Sequence, residues 1–261
     1  MRTDHATRDA ADHGTDHVPI AAAEFDAKVG DHVDRGMLVI VRVLAAPAVR
    51  RRPGRGPSGI SAGLVLVAAL PGRIGKRRDA RHEQTALRDR LPGTLIGIST
   101  GAWIERDDDR RLAMIGGWRE LPDHASVNLK EPGAPAVIER LCRHGVGVEA
   151  GLASVGDAER LVQFGLGRLC LRALIEIEEQ GLDEAMSVAD GILGVLALAE
   201  LRKPILLHGF DDTVWPFVER AVRDGLSVRV GLEDGSALPD GSVAPSNAEL
   251  VRAAVQIAYG R

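Results

Sequence analysis

The chain has 261 residues, of which 45% are hydrophobic and 27% are charged, and its net charge is −4. This is the composition of an ordinary globular domain that is small enough to be built around one hydrophobic core. The small negative charge, with no long basic block, excludes an electrostatic case for nucleic-acid binding. We also expect no membrane span and no secretory signal, because no apolar run reaches about 18 residues and the first residues are polar.

Cysteine usage bears on the compartment. Cys142 and Cys170 form no CxxC pair, so the sequence predicts neither a disulfide framework nor a thiolate zinc site. A reducing environment fits this pattern, and we expect a cytoplasmic protein.

Residues 1–90 form an atypical N-terminal region with one aromatic residue, Phe25, and much charge, Ala and Gly. Arg50–Gly63 is typical of a loop or of disorder. Met37–Leu44 and Leu64–Leu70 are the segments that fit strands. Two interpretations stay open: these segments are the first two strands of a sheet, or the region is a mis-framed reading of GC-rich DNA, which also yields excess Arg, Ala, Gly and Pro.

From residue 91 to residue 261, short apolar runs alternate with stretches of helical periodicity. The runs predict strands at Leu95–Thr100, Ala125–Leu129, Gly145–Gly151, Leu169–Leu174, Ile205–Gly209 and Ser227–Leu232. The intervening stretches predict helices at Ala134–Arg143, Val155–Phe164, Asp183–Glu200 and Val214–Arg223. This alternation predicts βαβ units and a parallel sheet. A doubly wound sheet is the alternative, but no GxGxxG follows a strand. Units 3–8 of a (β/α)8 TIM barrel fit here, and two more within residues 1–90 would close it.

Catalytic groups of such a barrel stand at the C-terminal ends of its strands. Ser99, Thr100 and Gly101 follow the first clear strand, and their hydroxyls and backbone N–H groups could hold a carboxylate or carbonyl oxygen. A plain strand-to-loop turn is the alternative. Asn128 and Lys130 follow the next strand. A lysine there could be a Schiff-base nucleophile, although a surface lysine is the more common case.

Two further strands carry ionisable side chains. Glu149 belongs to an otherwise apolar strand, where a carboxylate is costly unless it is paired or functional. His208 ends another strand and precedes two aspartates, so it fits a ligand, a base or a satisfied core histidine equally well.

The last strand carries the strongest cluster, Arg229 to Asp234. Alternation predicts that Arg229 and Glu233 point into the barrel, while Asp234 begins the loop over its mouth. Charges inside a barrel persist when they are paired, bind a metal or take part in catalysis. The pattern therefore favours an active site at this strand end.

Val228–Arg261 resembles the C-terminal signature of the β-keto acid cleavage enzymes, which include 3-keto-5-aminohexanoate cleavage enzyme. The signature is R-x-G-L-E-D, a glycine-rich turn, S-N-A-x-L-V on the final helix and a closing G-R. The stretches ISTGAWIE and LPDHASVNL and the segment from His208 to Pro216 are also similar to that family. The resemblance extends from Leu91 to Arg261.

The resemblance implies a (β/α)8 barrel, usually with one zinc ion, that works as a homo-oligomer. It also implies a Claisen-type exchange in which a β-keto acid and acetyl-CoA give acetoacetate and a new acyl-CoA. Carried onto this chain, it makes Glu233 a metal ligand and Arg229 and Asp234 the catalytic pair. We assign substrate binding to Ser99, Thr100, Gly101, Asn128 and Glu149.

One feature of the family is missing. Its two further metal ligands come from an H-x-H motif after the second strand, and this chain has no H-x-H. That strand would lie in residues 1–90, where the spacing of His32 and His82 does not suggest a replacement. Three hypotheses compete: a zinc-dependent acyl-exchange enzyme, a barrel that has lost its metal site and is inactive or only binds a small acid or CoA, and an aldolase using Lys130.

Overall fold

A computed structural model of the chain describes residues 95–260, residues 88–89 and the backbone of two earlier strands, β1 (Leu38–Leu44) and β2 (Leu64–Leu70). Both strands were predicted within one residue of these bounds. The other residues before Leu95, and Arg261, lie outside the described residues. The loop predicted at Arg50–Gly63 and the two interpretations of residues 1–90 therefore stay predictions.

Six β/α units follow in regular alternation. Their strands are β3 (Leu95–Ser99), β4 (His124–Asn128), β5 (Gly147–Leu152), β6 (Arg172–Ile177), β7 (Ile205–Gly209) and β8 (Ser227–Val230). Their helices are α1 (Asp108–Gly116), α2 (Ala134–Arg143), α3 (Val155–Gln163), α4 (Leu182–Leu198), α5 (Val214–Asp224) and α6 (Asn247–Tyr259). Short 3₁₀ turns lie at Leu166–Arg168 and Asp211–Thr213. Within these described elements, no helix has both the length and the apolar content that a membrane crossing needs.

The strands lie side by side in chain order. From β2 to β8 each strand is parallel to the next, which confirms the predicted parallel α/β sheet for the six units. β1 pairs with β2 and with β8, but it is antiparallel to both. This differs from the eight parallel strands that were predicted. An apolar run such as LVIVRVL indicates a buried strand without indicating its direction, so the sequence could not fix this pairing.

The main apolar core lies between the sheet and the helices. Outward-facing residues of the strands, such as Ile175, Leu207 and Val230, pack with helix residues such as Ile138 and Phe217, and all five are buried. The opposite face of the strands is largely polar and charged, as the contacts below show. The sequence predicts that Arg229 points into the barrel, and the described strands surround it there with other polar groups.

The bounds of the predicted elements agree with the structure to within two residues, with the exception of β6. β6 begins at Arg172, three residues later than predicted. Leu169 and Leu171, which suggested an earlier start, are 51% and 43% exposed after the 3₁₀ turn. β8 ends at Val230, so Gly231 and Leu232 lie beyond the strand.

Candidate functional site

A compact ionic cluster lies at the C-terminal end of β8. The guanidinium of Arg229 donates one hydrogen bond to each carboxylate oxygen of Asp234, with Nη2 2.6 Å from Oδ1 and Nε 3.2 Å from Oδ2. Nη2 also donates to Glu233 Oε1 at 2.5 Å. Arg229 is 9% exposed and Asp234 1%. One buried arginine therefore fixes the orientation of two carboxylates.

Glu233 reaches Arg229 by a route that strand alternation did not predict. Because β8 ends at Val230, Glu233 lies in a turn, which is closed by the hydrogen bond from Asp234 N to Gly231 O at 2.9 Å. Its side chain is 36% exposed, compared with 10% for the side chain of Arg229. The prediction that Glu233 lies on the strand is wrong, but the structure brings the predicted trio together.

Two more ionisable groups border this cluster. Glu176, on β6, and His208, on β7, are partners in the strand register. The imidazole of His208 lies between two carboxylates, with Nε2 3.6 Å from Glu176 Oε1 and Nδ1 3.7 Å from Asp234 Oδ1. Glu176 Oε1 is also 3.8 Å from Nη1 of Arg229. His208 is 1% exposed, so it belongs to the wall of the cluster.

The pKa values in the cluster depend on burial and on the number of carboxylates around the one arginine. Burial alone would lower the pKa of Arg229, but the carboxylates of Asp234 and Glu233 raise it above its ordinary value, so this arginine stays charged. Burial raises the pKa of Glu233, and the neighbouring carboxylates Asp234 and Glu176 add to this effect, while Arg229 opposes it. Three carboxylates around one arginine leave an excess of negative charge that a cation or a proton would relieve.

The predicted substrate-binding turn lies at the end of β3. Thr100 donates from Oγ1 to Ser126 O at 2.8 Å, which ties the turn to β4. Gly101 N donates to Ser99 Oγ over a longer distance, 3.4 Å. A side chain at position 101 would collide with the indole of Trp103, because a Cβ there would lie 2.4 Å from Nε1. Trp103 is 65% exposed, so its indole would have to move aside for a side chain at this position.

Asn128 faces the same interior space as Glu176. Gly151 lies between them, and a Cβ at this glycine would be 2.8 Å from Asn128 Oδ1 and 3.0 Å from Glu176 Oε2. The missing side chain thus lets both polar groups come close to each other over this glycine. This position is compatible with the predicted role of Asn128 in substrate binding.

Glu149 has buried partners of its own. Its Oε2 accepts from Arg172 Nη2 at 2.8 Å and lies 3.5 Å from His124 Nε2. Arg172 and His124 are the first residues of β6 and β4, so this trio lies towards the N-terminal ends of the strands. Burial alone would raise the pKa of Glu149, but Arg172 outweighs it and holds that pKa below its usual value. The contacts give Glu149 a structural explanation, and its substrate-binding role stays a prediction.

Lys130 forms an exposed ion pair at the strand ends. Its Nζ lies 2.9 Å from Glu178 Oε1, and the side chains are 54% and 61% exposed. The hydrogen bond that Lys130 donates to Glu178 raises the pKa of Lys130 above its ordinary value, despite partial burial. A Schiff-base nucleophile needs a neutral amine, so this geometry does not favour the aldolase hypothesis.

A trapping experiment checks this point. We expect that borohydride reduction in the presence of acetoacetate leaves Lys130 unmodified, because its ammonium group stays protonated beside Glu178. Intact-mass and peptide mass spectrometry measure the outcome. A reduced adduct that maps to Lys130 would instead establish the aldolase hypothesis.

Sequence reasoning missed Glu176 and Arg172. Both lie on β6, whose predicted bounds began too early, and the sequence I-E-I-E was not interpreted as a strand end. Alternation of Arg172, Leu174 and Glu176 along the correct strand is the signal that would have revealed two interior charges. His208 was recognised as a candidate without a role, and the structure places it against the cluster.

The described residues do not form a complete zinc site. In the part of the chain from residue 95 to residue 260, no three His, Cys, Asp or Glu side chains are placed to hold a metal ion. Glu233, the predicted ligand, is bonded to Arg229. A catalytic zinc site needs three protein ligands. Residues 95–260 offer only one of them, the predicted ligand Glu233.

The fold and the cluster define the class: an α/β sheet of six β/α units of the TIM-barrel kind, with ionisable groups at the strand ends. Residues 182–260 match the model of the beta-keto acid cleavage enzyme family. This match confirms the resemblance that the C-terminal motifs indicate, and it contains His208, Arg229, Glu233 and Asp234. The turn at Ser99 lies outside the matched range.

Solved structures give a more distant likeness. The apo structure of ObcA is similar with a TM-score of 0.50 and 17% identity, over 73% of this chain and 53% of that one. A mandelate racemase/muconate lactonizing enzyme from Roseiflexus sp. is 22% identical, with a TM-score of 0.30, over 49% of this chain and 34% of that one. The chain thus spans about half the length of the first and a third of the second. At this identity the likeness to ObcA concerns the fold alone. No curated protein matches the chain.

Proposed function

We propose that this protein is a β-keto acid cleavage enzyme that exchanges acyl groups between a β-keto acid and acetyl-CoA, giving acetoacetate and a new acyl-CoA. One observation carries the proposal. The family match at residues 182–260 contains Arg229, Glu233 and Asp234, and these side chains form one cluster at the C-terminal end of β8. In barrel enzymes, this is the end of the strands where catalysis takes place.

The proposed roles follow from the chemistry of each group. Asp234 is the base that takes a proton from the reacting carbon, and Arg229 holds both of its oxygens so that its orientation is fixed. The positive charge of Arg229 also stabilises negative charge that develops on the substrate. Ser99 and Gly101 supply donors for the substrate carboxylate, and Asn128 adds a polar contact on the neighbouring strand.

Zinc is part of the proposal through the family resemblance. A bound zinc ion would act as a Lewis acid towards the substrate oxygens, and Glu233 is the carboxylate that would hold it. Further ligands would have to come from outside residues 95–260. His32 and His82 lie there, but their spacing does not suggest a metal-binding pair, and the chain has no H-x-H.

A substitution of Glu233 tests this part of the proposal. We expect the purified protein to contain zinc by elemental analysis and the Glu233→Gln variant to contain much less, because an amide oxygen is a weaker ligand than a carboxylate. Glu178→Gln is the matched control, since it removes an exposed carboxylate at another strand end. Equal zinc in all three proteins would remove Glu233 from the metal site.

A second candidate function is a barrel that has lost its metal site and only binds a small acid or a CoA ligand. The bond between Glu233 and Arg229, together with the missing ligand trio in residues 95–260, favours it. A single pair of measurements separates the two candidates. The enzyme forms acetoacetate from acetyl-CoA and a β-keto acid and contains zinc, whereas the binding protein does neither and still binds acetoacetate in calorimetry.

The proposal also includes a barrel fold, a reducing compartment and a homo-oligomeric assembly. Six parallel β/α units lie within residues 95–260, which supports the proposal of a (β/α)8 barrel, whereas the antiparallel pairing of β1 does not. Both cysteines are free, which supports a reducing compartment such as the cytoplasm. The family resemblance supports a homo-oligomer.

A further inference from the structure

The carboxylate of Glu131 joins a buried arginine to the turn after β3. Its Oε2 accepts from Arg111 Nη1 at 2.8 Å, and its Oε1 accepts from the backbone N–H of Ala102 at 2.8 Å. Arg111 lies on α1, Glu131 follows β4, and Ala102 follows the turn at Ser99–Gly101. Three separate segments therefore meet at one carboxylate.

Arg111 is fixed by two carboxylates, those of Glu131 and Asp108. Arg111 is 0% exposed, and its Nη2 makes a second ion pair with Asp108 Oδ1 at 2.7 Å. A guanidinium this deeply buried is tolerated only with well-placed partners. Its fork of donors fixes the direction of each carboxylate that it bonds. The side chain of Glu131 is itself only 11% exposed.

The backbone of Glu131 is also anchored. Its N–H donates to Asn128 O at 3.1 Å, and its carbonyl accepts from Arg160 Nη2 at 3.3 Å. The first contact ties it to the end of β4, and the second ties it to α3. A carboxylate held at both its side chain and its backbone is a rigid support for whatever it bonds.

Through Ala102, the carboxylate of Glu131 holds one side of the candidate substrate-binding turn. The other side is held by Thr100, which donates to Ser126 O through both its hydroxyl and its N–H, at 2.8 and 3.3 Å. Gly101 lies between these two anchors, and its N–H makes the long contact with Ser99 Oγ. The donors assigned to the substrate carboxylate are thus fixed from both sides.

We propose that Glu131, held by Arg111, is a positioning residue for the substrate: it keeps the donors of Ser99 and Gly101 aimed at the carboxylate of the β-keto acid. This inference rests on the proposed function. Arg111 is buried away from any ligand and acts only through Glu131. Donors that are already in place bind a carboxylate without the cost of ordering the turn, so loss of the support weakens binding before it affects the chemical step.

The test uses Glu131→Gln on the full chain, with Asp108→Asn as its matched control. Both changes take one carboxylate from Arg111, but only the first disturbs the contact with Ala102, because a glutamine has a single oxygen and cannot accept from Arg111 and from Ala102 through separate oxygens. We expect Glu131→Gln to raise the KM for the β-keto acid, and the calorimetric Kd for acetoacetate, about tenfold or more. We expect kcat to fall less than KM rises. Hydrogen exchange of a peptide covering residues 99–104 should also become faster in this variant alone.

Each other outcome has a defined meaning. Unchanged acetoacetate affinity in Glu131→Gln overturns the inference, and so does equal weakening by Asp108→Asn, since that would be a general effect of losing charge. If Glu131→Gln does not fold, Arg111→Lys replaces it, because a lysine keeps the charge but cannot grip both carboxylates. Binding of acetoacetate that depends on Glu131 in a chain without turnover rejects the proposed function and retains the inference. A wild-type chain that does not bind acetoacetate overturns both.

Discussion

Asp234→Asn is expected to lower kcat for acetoacetate formation by about 10²–10⁴-fold, the usual contribution of a positioned general base. Asparagine has nearly the same shape as aspartate, but its amide cannot take up a proton. Arg229 would keep Glu233 and Glu176 as carboxylate neighbours, so the buried guanidinium is not left without negative charge. We therefore expect the variant to fold, and steady-state kinetics with acetyl-CoA and a β-keto acid measure the effect.

Asp224→Asn is the matched control for this prediction. Asp224 also accepts from an arginine, with its Oδ2 2.5 Å from Arg220 Nε, but the pair lies at the end of α5. Removal of this charge should leave kcat within about threefold of the wild type, since surface changes of this kind have small effects. If Asp234→Asn retained a comparable rate, Asp234 would not be the base, and the proposed mechanism would fail.

Much of the fold was predictable from the region after residue 91, because each element there has a local signal. α2 has the bounds that its periodicity predicts, and β7 has those of its apolar run. The start of β6 was not predictable in this way. Leu169 and Leu171 look like strand residues, yet they are exposed, while the strand itself carries Arg172 and Glu176. Because Arg172 and Glu176 both carry charges, β6 lacks the apolar pattern by which buried strands are recognised in a sequence.

The candidate site was predictable in its members more than in its geometry. Arg229, Glu233 and Asp234 were selected by charge in an apolar context, and the structure brings them together. Which atoms meet was not predictable, because Glu233 reaches Arg229 from a turn whose shape depends on the hydrogen bond to Gly231. The partners of Glu149 and Glu131 are 20 or more residues away in sequence. Pairing over such distances is set by how strands, helices and loops pack against one another, which a single sequence does not show.

The buried pair of Arg172 and Glu149 leads to the second large effect, which concerns stability. Arg172→Met is expected to reduce the free energy of unfolding by about 3–5 kcal/mol at neutral pH, the usual cost of removing one partner of a buried ion pair. Arg172 and Glu149 are 1% and 6% exposed, so Glu149 would lose its hydrogen-bonded cation and keep only the more distant contact with His124, at 3.5 Å. Lys130→Met is the control, because it breaks an exposed pair worth at most about 1 kcal/mol. Chemical denaturation of the three proteins gives the comparison.

The pH dependence of this loss identifies its cause. In the wild type, Arg172 holds the pKa of Glu149 below its ordinary value of 4.5, so the pair stabilises the fold above that pH and this contribution is lost on acidification. In the variant, burial without Arg172 raises the pKa of Glu149, so protonation relieves the unpaired charge as the pH falls. The difference in unfolding free energy should therefore be largest near pH 7, begin to shrink above pH 4.5 as Glu149 of the variant takes up a proton, and shrink further below pH 4.5 as the wild type loses its pair. A double variant, Arg172→Met with Glu149→Leu, should recover much of the loss at pH 7, since neither member of the pair is then left in the interior without the other. A loss that is independent of pH and persists in the double variant would mean that Arg172 stabilises the fold by packing and not by its charge.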